Sequence, residues 1–375
     1  MTKIAPGLFH SAGPPIQEIK ANIVAILTAR NEGWRIPFWL AYHRWLGVDH
    51  FIIIDNRSTD RTAAILREQH DVTLIDAPGN YRKSIHEGGR SNFRDWIRTA
   101  LSMGPAERWN LILDADELFV GVPWRQGGLR KTVSALEAQQ ADFAFALMVD
   151  CYPASLPLTT DMVSAVPWDR APWFDAGPYG RWRRSSRKLR LSYNGVRERI
   201  CWPNWKRQKF LPRVLRKLLG ISPPPFIVKA PLVRGSADAT HGVHATLDRR
   251  HADSHFDILH YKFDIDLALK TQSALTERQY FNDSVEYEAY AAAFAGGRLE
   301  LKAPVSRRFS GLTSLSDAGL CHFTNSLLAR LETDGLIDTP LDQATAEIFR
   351  HGDRHLSESI LLSEVLGAAA GTVAV

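Results

Sequence analysis

The chain has 375 residues, of which 45% are apolar and 23% charged, and its formal net charge is +5. These values are typical of a globular protein with one large domain or two ordinary ones. They exclude a membrane-spanning chain, because no run of about 18 apolar residues occurs. The three cysteines, Cys151, Cys201 and Cys321, form neither a disulfide framework nor a zinc pattern, and the N-terminus lacks a signal-peptide pattern. We therefore expect a cytoplasmic protein.

The first third of the chain alternates strand and helix signals. Strands are predicted at "NIVAILTA", "DHFIIID", "DVTLID" and "RWNLILD". Helices are predicted at "FWLAYHRWLG", at "STDRTAAILREQH" and from about Arg90 to Gly104. This order predicts a parallel sheet with helices on both faces, whose ligands bind beyond the carboxyl ends of the strands. Thr28, Asp55 and Asp114 fall at such ends.

An acidic group ends the fourth predicted strand, in "NLILDADELFV". Asp114 and Asp116 are two residues apart, so in an extended chain they project to the same side. Two neighbouring carboxylates repel each other unless a cation lies between them, and a divalent metal bound through oxygens is the usual solution. The chain has a second such pair, Asp264 and Asp266, which we interpret as a chance occurrence.

The turn after the first strand, "TARNEGW", has no glycine-rich phosphate loop, and no P-loop occurs anywhere. The phosphates of a bound nucleotide would therefore need another counter-charge. A metal held by Asp114 and Asp116 supplies one, and Arg30, Arg57 and Arg90 supply more. This pattern disfavours a dehydrogenase or a P-loop NTPase and favours a metal-bound nucleoside diphosphate.

Three motifs, "VAILTARNE", "IIIDNRSTDRT" and "ILDADELF", resemble in order and spacing the nucleotide-binding half of family 2-type glycosyltransferases with the GT-A fold. The region from "EGWRIPFWLAYHRWLG" to "DADE" is similar to the subgroup with a "yHr.lGvdhf.iiDN.S.D" signature. With "GVRERICWP", "THGVH" and "LHYKF", the resemblance extends over residues 22–297. It implies an α/β fold of GT-A type, with a Rossmann-like, mostly parallel sheet and a helical C-terminal extension.

The resemblance also implies a division of the chain. An N-terminal extension (1–20) would precede a nucleotide-sugar-binding half (21–125). An acceptor half (126–262) with a basic, aromatic-rich insertion (151–225) would follow, and then the helical extension (263–375).

The implied activity is metal-dependent transfer of a sugar from a nucleotide-sugar, a UDP-sugar in most such enzymes, with inversion at the anomeric carbon. The acceptor would be a hydroxyl of a glycan or a lipid-linked molecule, and the cofactor Mn²⁺ or Mg²⁺. The alternative from another class is a catalytically inactive nucleotide-fold protein that binds polyanions or an anionic membrane surface. No nucleic-acid-binding module is recognisable, so we expect no nucleic-acid partner.

By the same resemblance, Asp55 would hydrogen-bond the donor base, and Asp114 would face the ribose or a metal-bound water. Asp116 would bind the metal directly, and Glu117 would anchor the loop. His241, in "THGVH", would complete the metal shell, with His244 and His260 as competing candidates. The predicted metal ligands are therefore Asp114, Asp116 and His241, and the predicted nucleotide contacts are Thr28, Arg30, Glu32, Asp55, Arg57, Arg90, Asp114 and Ala115.

Two of the acidic residues have structural interpretations that remain open. Glu32 lines the nucleoside pocket or places a charge at a helix N-terminus. Asp60 caps the helix that follows it.

The general base is open among Asp150, Asp175, Glu198 and Asp238, and Asp175 and Glu198 are the two main candidates. Asp175 lies in "WFDAGPYG", among aromatic residues that can stack on sugar rings. Glu198 lies in "VRER", where we expect the flanking arginines to lower its pKa.

A basic segment runs from Arg181 to Leu219, with 14 Lys and Arg residues and one acid, Glu198. Solubility does not require such a concentration of charge, so we predict an anionic partner. From Lys206 onward the basic residues alternate with Leu and Phe, which favours contact with an anionic bilayer.

Overall fold

The computed structural model describes residues 2–80, 92–121, 123–157, 162–177, 179–183, 188–191, 195–221, 223–235, 250–277, 284–321, 323–331, 338–361, 363 and 365. The strands are β1 (Thr2–Ala5), β2 (Leu8–Ala12), β3 (Ile23–Ala29), β4 (His50–Asp55), β5 (Val72–Asp76), β6 (Trp109–Ile112), β7 (Glu117–Val120), β8 (Phe143–Tyr152), β9 (Ser155–Leu156), β10 (Met162–Ser164), β11 (Trp173–Asp175), β12 (Gly180–Arg183), β13 (Lys188–Leu191), β14 (Val228–Arg234), β15 (His251–His260), β16 (Leu299–Glu300), β17 (Ser306–Arg308) and β18 (Ser359–Leu361). The helices are α1 (Ile36–Leu46), α2 (Thr62–Arg67), α3 (Asn92–Ser102), α4 (Gly128–Ala138), α5 (Pro167–Arg170), α6 (Val196–Cys201), α7 (Trp205–Gln208), α8 (Arg213–Leu218), α9 (Leu267–Glu277), α10 (Val285–Phe294), α11 (Leu312–Asp317), α12 (Asn325–Arg330) and α13 (Leu341–Arg350).

A 12-stranded mixed sheet forms the centre of the fold, in the order β1-β2-β5-β4-β3-β6-β14-β8-β11-β17. The four strands β5, β4, β3 and β6 pair in parallel, as the strand and helix signals predicted. Beyond them, β14 is antiparallel to both β6 and β8. β15 lies beside β8 in parallel, and β7 pairs with β15 in antiparallel fashion. The predicted α/β class is confirmed, and the predicted parallel strands form one continuous part of the mixed sheet.

The parallel strands form where the sequence has continuous apolar runs. Every residue of β3 and β4 is buried, as expected for strands covered on both faces. α1 follows β3 and packs three large aromatic residues, Trp39, Tyr42 and Trp45, into the core. It ends at Gly47, whose φ of 116° is a conformation that glycine adopts without steric cost.

Strand register brings the predicted site residues to one edge of the sheet. Ala29 of β3 lies opposite Asp55 of β4, and Ile26 lies opposite Ile112 of β6. Thr28, Asp55 and Asp114 therefore lie at the carboxyl ends of three adjacent strands, where ligands of parallel sheets bind.

Strands from near the N-terminus and from beyond position 300 extend the central sheet. At one end β2 pairs with β5, so the predicted N-terminal extension adds strands to the sheet. At the other end β17 pairs with β11. Among the described residues, five helices, α9 to α13, follow position 263. The boundaries of the predicted domains stay a prediction.

The C-terminal helix α13 packs on α1. Phe349 contacts Phe38 with a ring separation of 6.4 Å, and the Trp45 indole donates to Glu347 at 2.8 Å. None of the helices among the described residues combines the length and apolar character needed to span a bilayer. Cys151, Cys201 and Cys321 are all free thiols.

Candidate functional site

Three strands bring a histidine and two carboxylates together next to the sheet edge. Glu117, at the start of β7, lies opposite His260, the last residue of β15. His260 in turn lies opposite Asp150 of β8. Asp116 directly precedes Glu117, and one donor atom from each of Asp116, Glu117 and His260 lies within 4.8 Å of the others. The ladder register therefore creates a cluster of metal-ligand type from residues about 140 positions apart.

Asp150 orients the imidazole of His260. The pKa of Asp150 is lowered, because the charges of Arg197 and His260 outweigh the effect of burial. Asp150 Oδ1 lies 2.6 Å from His260 Nδ1, and Nη2 of Arg197 lies 2.7 Å from the same nitrogen. These two contacts fix the orientation of the ring, so that Nε2 faces Asp116 Oδ2 at 3.7 Å, which is too long for a hydrogen bond.

A buried lysine from β14 neutralises the neighbouring carboxylates. Lys229 Nζ donates to Asp114 Oδ2 at 2.8 Å and to the carboxylate of Glu117, which has no exposed surface. Burial would lower the pKa of Lys229, but the two carboxylates raise it above its usual range. The second oxygen of Glu117 accepts the backbone N–H of Asp114 at 3.0 Å. Glu117 thus holds the turn between β6 and β7, the anchoring contact that we expected.

Asp116 is surrounded by cationic groups. Burial would raise its pKa, but His260, Lys262, Arg35 and Lys270 lower it below the usual range. The carboxylate is therefore ionised at neutral pH, although its side chain is only 17% exposed. An ionised, partly exposed carboxylate is a suitable ligand for a hard cation.

The residues fit a divalent cation. Two donors that bind one ion at about 2.1 Å can be at most about 4.2 Å apart, and Asp116 Oδ2 and His260 Nε2 are 3.7 Å apart. Both oxygens of Glu117 are engaged by Lys229 and Asp114. Asp116 and His260 are therefore the two donors best placed to hold the ion.

Of the other predicted metal ligands, Asp114 is outside the cluster and pairs with Lys229. His241 and His244 are outside the described residues. His260, which the sequence offered as a competing candidate, is the histidine that the described structure brings to Asp116.

Unpaired polar atoms line the neighbouring strand ends. Thr28 Oγ1, Asp55 Oδ1 and Asn56 Oδ1 are buried and have no hydrogen-bond partner. Burial raises the pKa of Asp55, although hydrogen bonds from Ser58 oppose the shift. Buried polar atoms are normally paired, so these three atoms can accept hydrogen bonds from a ligand with N–H or O–H groups. Asn56 was not singled out from the sequence.

The loops after β3 and β4 are bonded to each other. Asn31 N donates to Ser58 Oγ at 2.9 Å, and Thr59 N donates to Asn31 Oδ1 at 2.7 Å. Asn31 and Arg57 have φ values of 56° and 60°, which non-glycine residues rarely adopt. Asp60 Oδ1 accepts the N–H of Thr62, the first residue of α2, at 2.9 Å, but the N-cap residue of this helix is Arg61. Backbone strain held by surrounding contacts is common at binding sites.

Several predicted nucleotide contacts are engaged by protein groups. The guanidinium of Arg30 forms two hydrogen bonds with Glu277, at 2.7 and 3.1 Å. Glu32 pairs with Arg35 at 2.9 Å and with Lys270 at 2.5 Å. Arg57 donates to the side chain of Asn80 at 3.1 Å. Ala115 is 8% exposed beside the cluster, and Arg90 lies outside the described residues.

The two carboxylates of the second acidic pair bind guanidinium groups of the protein, which gives the pair a structural role. Asp264 pairs with Arg170 at 2.7 Å, and Asp266 pairs with Arg35 at 2.5 Å. All four side chains are nearly inaccessible. Each carboxylate neutralises a buried guanidinium, which in the case of Arg35 also pairs with Glu32.

The base candidates have different surroundings. Both oxygens of Asp175 are held by Arg199, at 3.0 and 3.1 Å, and Tyr152 also donates to this carboxylate. Glu198 is 5% exposed and its Oε2 has no partner. Asp150 is engaged by Arg197 and His260, and Asp238 lies outside the described residues.

The expected lowering of the Glu198 pKa is wrong. Burial raises this pKa, and the opposing charges are those of Lys206 and Lys209. The flanking arginines turn away, Arg197 to Asp150 and Arg199 to Asp175. Sequence neighbours on a helix one residue apart do not face each other, which explains the error.

Lys229 is a site residue that sequence reasoning missed. Its signal was present, because a lysine interrupts the apolar strand "FIVKAPLV". A lysine at a buried strand position requires carboxylate partners. The acidic group at Asp114 was the natural candidate for that partner.

A cavity of about 950 Å³ lies at the opposite end of the sheet, before β4 and β5. It contains none of the predicted site residues. Its lining includes ion pairs within the protein, Arg44 with Asp71 and Arg130 with Asp49. The chemistry of the candidate site therefore lies elsewhere.

Comparisons with known proteins give only distant similarities. No protein-family model and no curated protein matches the chain. Among solved structures, TarS of S. aureus is 15% identical, with a TM-score of 0.25 over 38% of this chain; the chain spans only 24% of TarS. The structure of 4-diphosphocytidyl-2C-methyl-D-erythritol synthase is 10% identical, with a TM-score of 0.26 over 60% of this chain and 79% of its own. At such TM-scores neither similarity shows a shared activity.

Proposed function

We propose that the chain is a metal-dependent glycosyltransferase that moves a sugar from a nucleotide-sugar, a UDP-sugar by preference, to an acceptor hydroxyl with inversion. The observation that carries this proposal is the position of the Asp116, Glu117 and His260 cluster. The cluster follows β6 at the carboxyl edge of the sheet. The unpaired atoms of Thr28 and Asp55 lie along the same edge. A cation site next to hydrogen-bond acceptors suits a nucleoside diphosphate, which is anionic at one end and carries N–H groups at the other.

Asp116 and His260 would hold Mn²⁺ or Mg²⁺, and the imidazole ligand favours Mn²⁺. When bound, the ion supplies positive charge that stabilises the departing diphosphate. Asp55 and Thr28 would contact the base and Asp114 the ribose. Lys229 would keep Asp114 and Glu117 neutralised, so that their repulsion does not open the turn between β6 and β7.

The acceptor hydroxyl, of a glycan or a lipid-linked molecule, must lose a proton as it attacks the anomeric carbon. Of the two main base candidates, Glu198 suits this role better, because it has an unpartnered oxygen and burial raises its pKa. Asp175 has both oxygens held by Arg199. We therefore assign the proton transfer to Glu198.

Thermal unfolding with UDP, GDP or CMP, each with and without Mn²⁺, tests the proposal. A ligand present at 100 times its dissociation constant stabilises the folded state by about 2.7 kcal/mol. We expect such a shift with UDP only when Mn²⁺ is also present. A protein that binds polyanions through a catalytically inactive fold would show no dependence on the base or on the metal, and that result would support the alternative.

Asp116→Asn is the matching variant for this experiment. It removes one ligand charge while keeping the size of the side chain, so the protein should fold but lose the Mn²⁺-dependent part of the shift. Asp342→Asn changes an exposed carboxylate on α13 and serves as the control. Nucleotide release from the correct donor at the wild-type rate in Asp116→Asn would refute the metal assignment.

A further inference from the structure

Exposed apolar side chains concentrate in one segment of the chain. The described residues include nine large apolar side chains that are exposed, and six of them lie between positions 210 and 226. Phe210 is 81% exposed, Leu218 78% and Val214 72%. Val214 and Leu218 are four residues apart, so they share one face of α8. A concentration of exposed apolar side chains on a protein surface marks an interaction site. We call residues 205–221 and 223–226 the basic apolar surface.

The same segment is strongly cationic. Between residues 205 and 219 the chain has six Lys and Arg residues, and no acidic residue occurs from Arg199 to Gly235. Lys206, Arg207 and Lys209 are exposed. Lys206 and Lys209 act on one neighbouring carboxylate, Glu198, which offsets a small part of this charge and leaves the potential at the surface positive.

The basic apolar surface is anchored to the fold from beneath. Trp205, at the start of α7, is 3% exposed and packs in an apolar cluster with Trp202 and Tyr290. The guanidinium carbon of Arg216 lies 5.2 Å from the centre of the Trp205 ring. Ile221 N donates to Arg216 O at 2.8 Å. The segment therefore has its own buried contacts, and its exposed apolar side chains face outward instead of forming part of the hydrophobic core.

We propose that the basic apolar surface binds an anionic lipid bilayer. Nucleic acid or heparin would neutralise its lysines and arginines but would leave Phe210 and Leu218 in water. An apolar groove on a protein would cover these two residues without needing the exposed cations Lys206, Arg207 and Lys209. The interface of an anionic bilayer satisfies both features, because acyl chains accept the apolar residues while phosphate headgroups surround the bases.

This proposal is independent of the proposed enzymatic activity. Binding to vesicles needs neither nucleotide nor metal, so it can be measured separately from the thermal shift with UDP and Mn²⁺. The two proposals can therefore succeed or fail separately.

Sedimentation with vesicles tests the surface. The full chain is mixed with vesicles of phosphatidylcholine alone or with about one third phosphatidylglycerol, and the bound fraction gives the partition coefficient. We expect binding only to the anionic vesicles. Lys206→Gln, Arg207→Gln and Lys209→Gln together should lower the partition coefficient by at least tenfold, because each base near such a surface contributes about 1 kcal/mol.

Apolar insertion needs its own variant. Phe210→Ser with Leu218→Ser should weaken binding to anionic vesicles at least tenfold while leaving retention on a heparin column unchanged. The control variants remove the same number of positive charges or apolar side chains at other positions on the surface. Lys20→Gln, Arg67→Gln and Lys131→Gln match the charge change, and Met162→Ser with Leu361→Ser matches the apolar change.

Two results would overturn the proposal. One is equal vesicle binding by the wild type and the Phe210→Ser, Leu218→Ser variant, which would indicate a general polyanion surface. The other is an equal loss of vesicle binding in the variants of the basic apolar surface and in their controls. This result would show that binding does not depend on where the charged or apolar side chains lie. A melting temperature within about 2 °C of wild type confirms that each variant is folded.

Discussion

At the scale of single residues, His260 is the histidine that lies beside Asp116 in the proposed metal site. We expect His260→Ala to weaken Mn²⁺ binding at least tenfold, because Nε2 faces Asp116 and no other described histidine shares this cluster. Isothermal titration with Mn²⁺ alone measures the effect directly. His241→Ala and His244→Ala are the comparison variants, and a loss confined to either of them would show that the ligand is not His260.

We expect Asp150 to act on the proposed metal site through His260. Replacing it with Asn removes the charge beside Nδ1, and loss of such a partner lowers metal affinity about 10- to 100-fold. Asp150→Asn should therefore weaken Mn²⁺ binding within this range, and Asp150→Glu should restore part of it. A purely structural role would give equal Mn²⁺ affinity in all three proteins together with a lower melting temperature.

Some of these residues could be predicted from the sequence and some could not. Asp55 and Asp116 end or follow short apolar runs, so local pattern placed them at strand ends. His260 also ends a strand, but its proximity to Asp116 depends on the pairing of β15 with β7, which no local pattern encodes. The open choice among three histidines reflects this missing long-range information.

At the scale of secondary-structure elements, a buried ion pair connects the start of α9 to the start of α1. Arg35 directly precedes α1 and Asp266 directly precedes α9, and their side chains are 6% and 2% exposed. Arg35 and Lys270 lower the pKa of Asp266, although burial opposes this. Because the pKa of Asp266 is lower in the folded state than in the unfolded state, its ion pairs stabilise the fold above the unfolded pKa. This stabilisation is lost as the pH falls.

We expect Asp266→Ala to reduce the free energy of unfolding by about 3–5 kcal/mol, because it leaves a buried guanidinium without its main partner. Urea unfolding at neutral pH measures this change. Glu300→Ala is the control, since it removes an exposed partner of Arg298 whose contribution is below about 1 kcal/mol. Similar values for the two variants would show that Arg35 is compensated by Glu32 alone.

Like the single residues, some secondary-structure elements could be predicted from the sequence and others could not. β3, β4, β5 and β6, with the helices between them, were predicted because each strand is a continuous apolar run bounded by turns. The insertion of β14 between β6 and β8 was not predicted. Each paired residue of β14 lies more than 80 positions after its partner in the sequence. The Lys229 contact with Asp114 depends on this insertion and was missed for the same reason.

At the scale of the whole molecule, one buried carboxylate affects the pH dependence of stability. Asp257 of β15 has no exposed surface, and neither of its oxygens has a hydrogen-bond partner. Burial raises its pKa well above the usual value. The stability contributed by this group is complete below the unfolded pKa of about 3.9 and is lost as the pH rises toward the folded pKa.

Asp257→Asn removes this proton linkage while keeping an unpaired polar group of the same size. We expect the variant to gain stability relative to wild type as the pH rises from 5 to 8, by up to about 1.4 kcal/mol per pH unit. Denaturant unfolding at several pH values gives the difference. Asp253→Asn, an exposed change on the same strand, should follow the wild type, and parallel curves for all three proteins would contradict the assignment.

The pairing of β17 with β11 has a consequence for shortened versions of the chain. β17 is the last strand of the sheet and comes from beyond position 300, so a protein truncated before it would leave the backbone of β11 without a neighbour. An uncovered edge strand is a template for intermolecular pairing. Such a truncation would also expose the aromatic face of α1 that α13 covers. Loss of the C-terminal region should therefore appear first as aggregation during expression, even though the proposed ligands of the metal and the nucleotide all precede it.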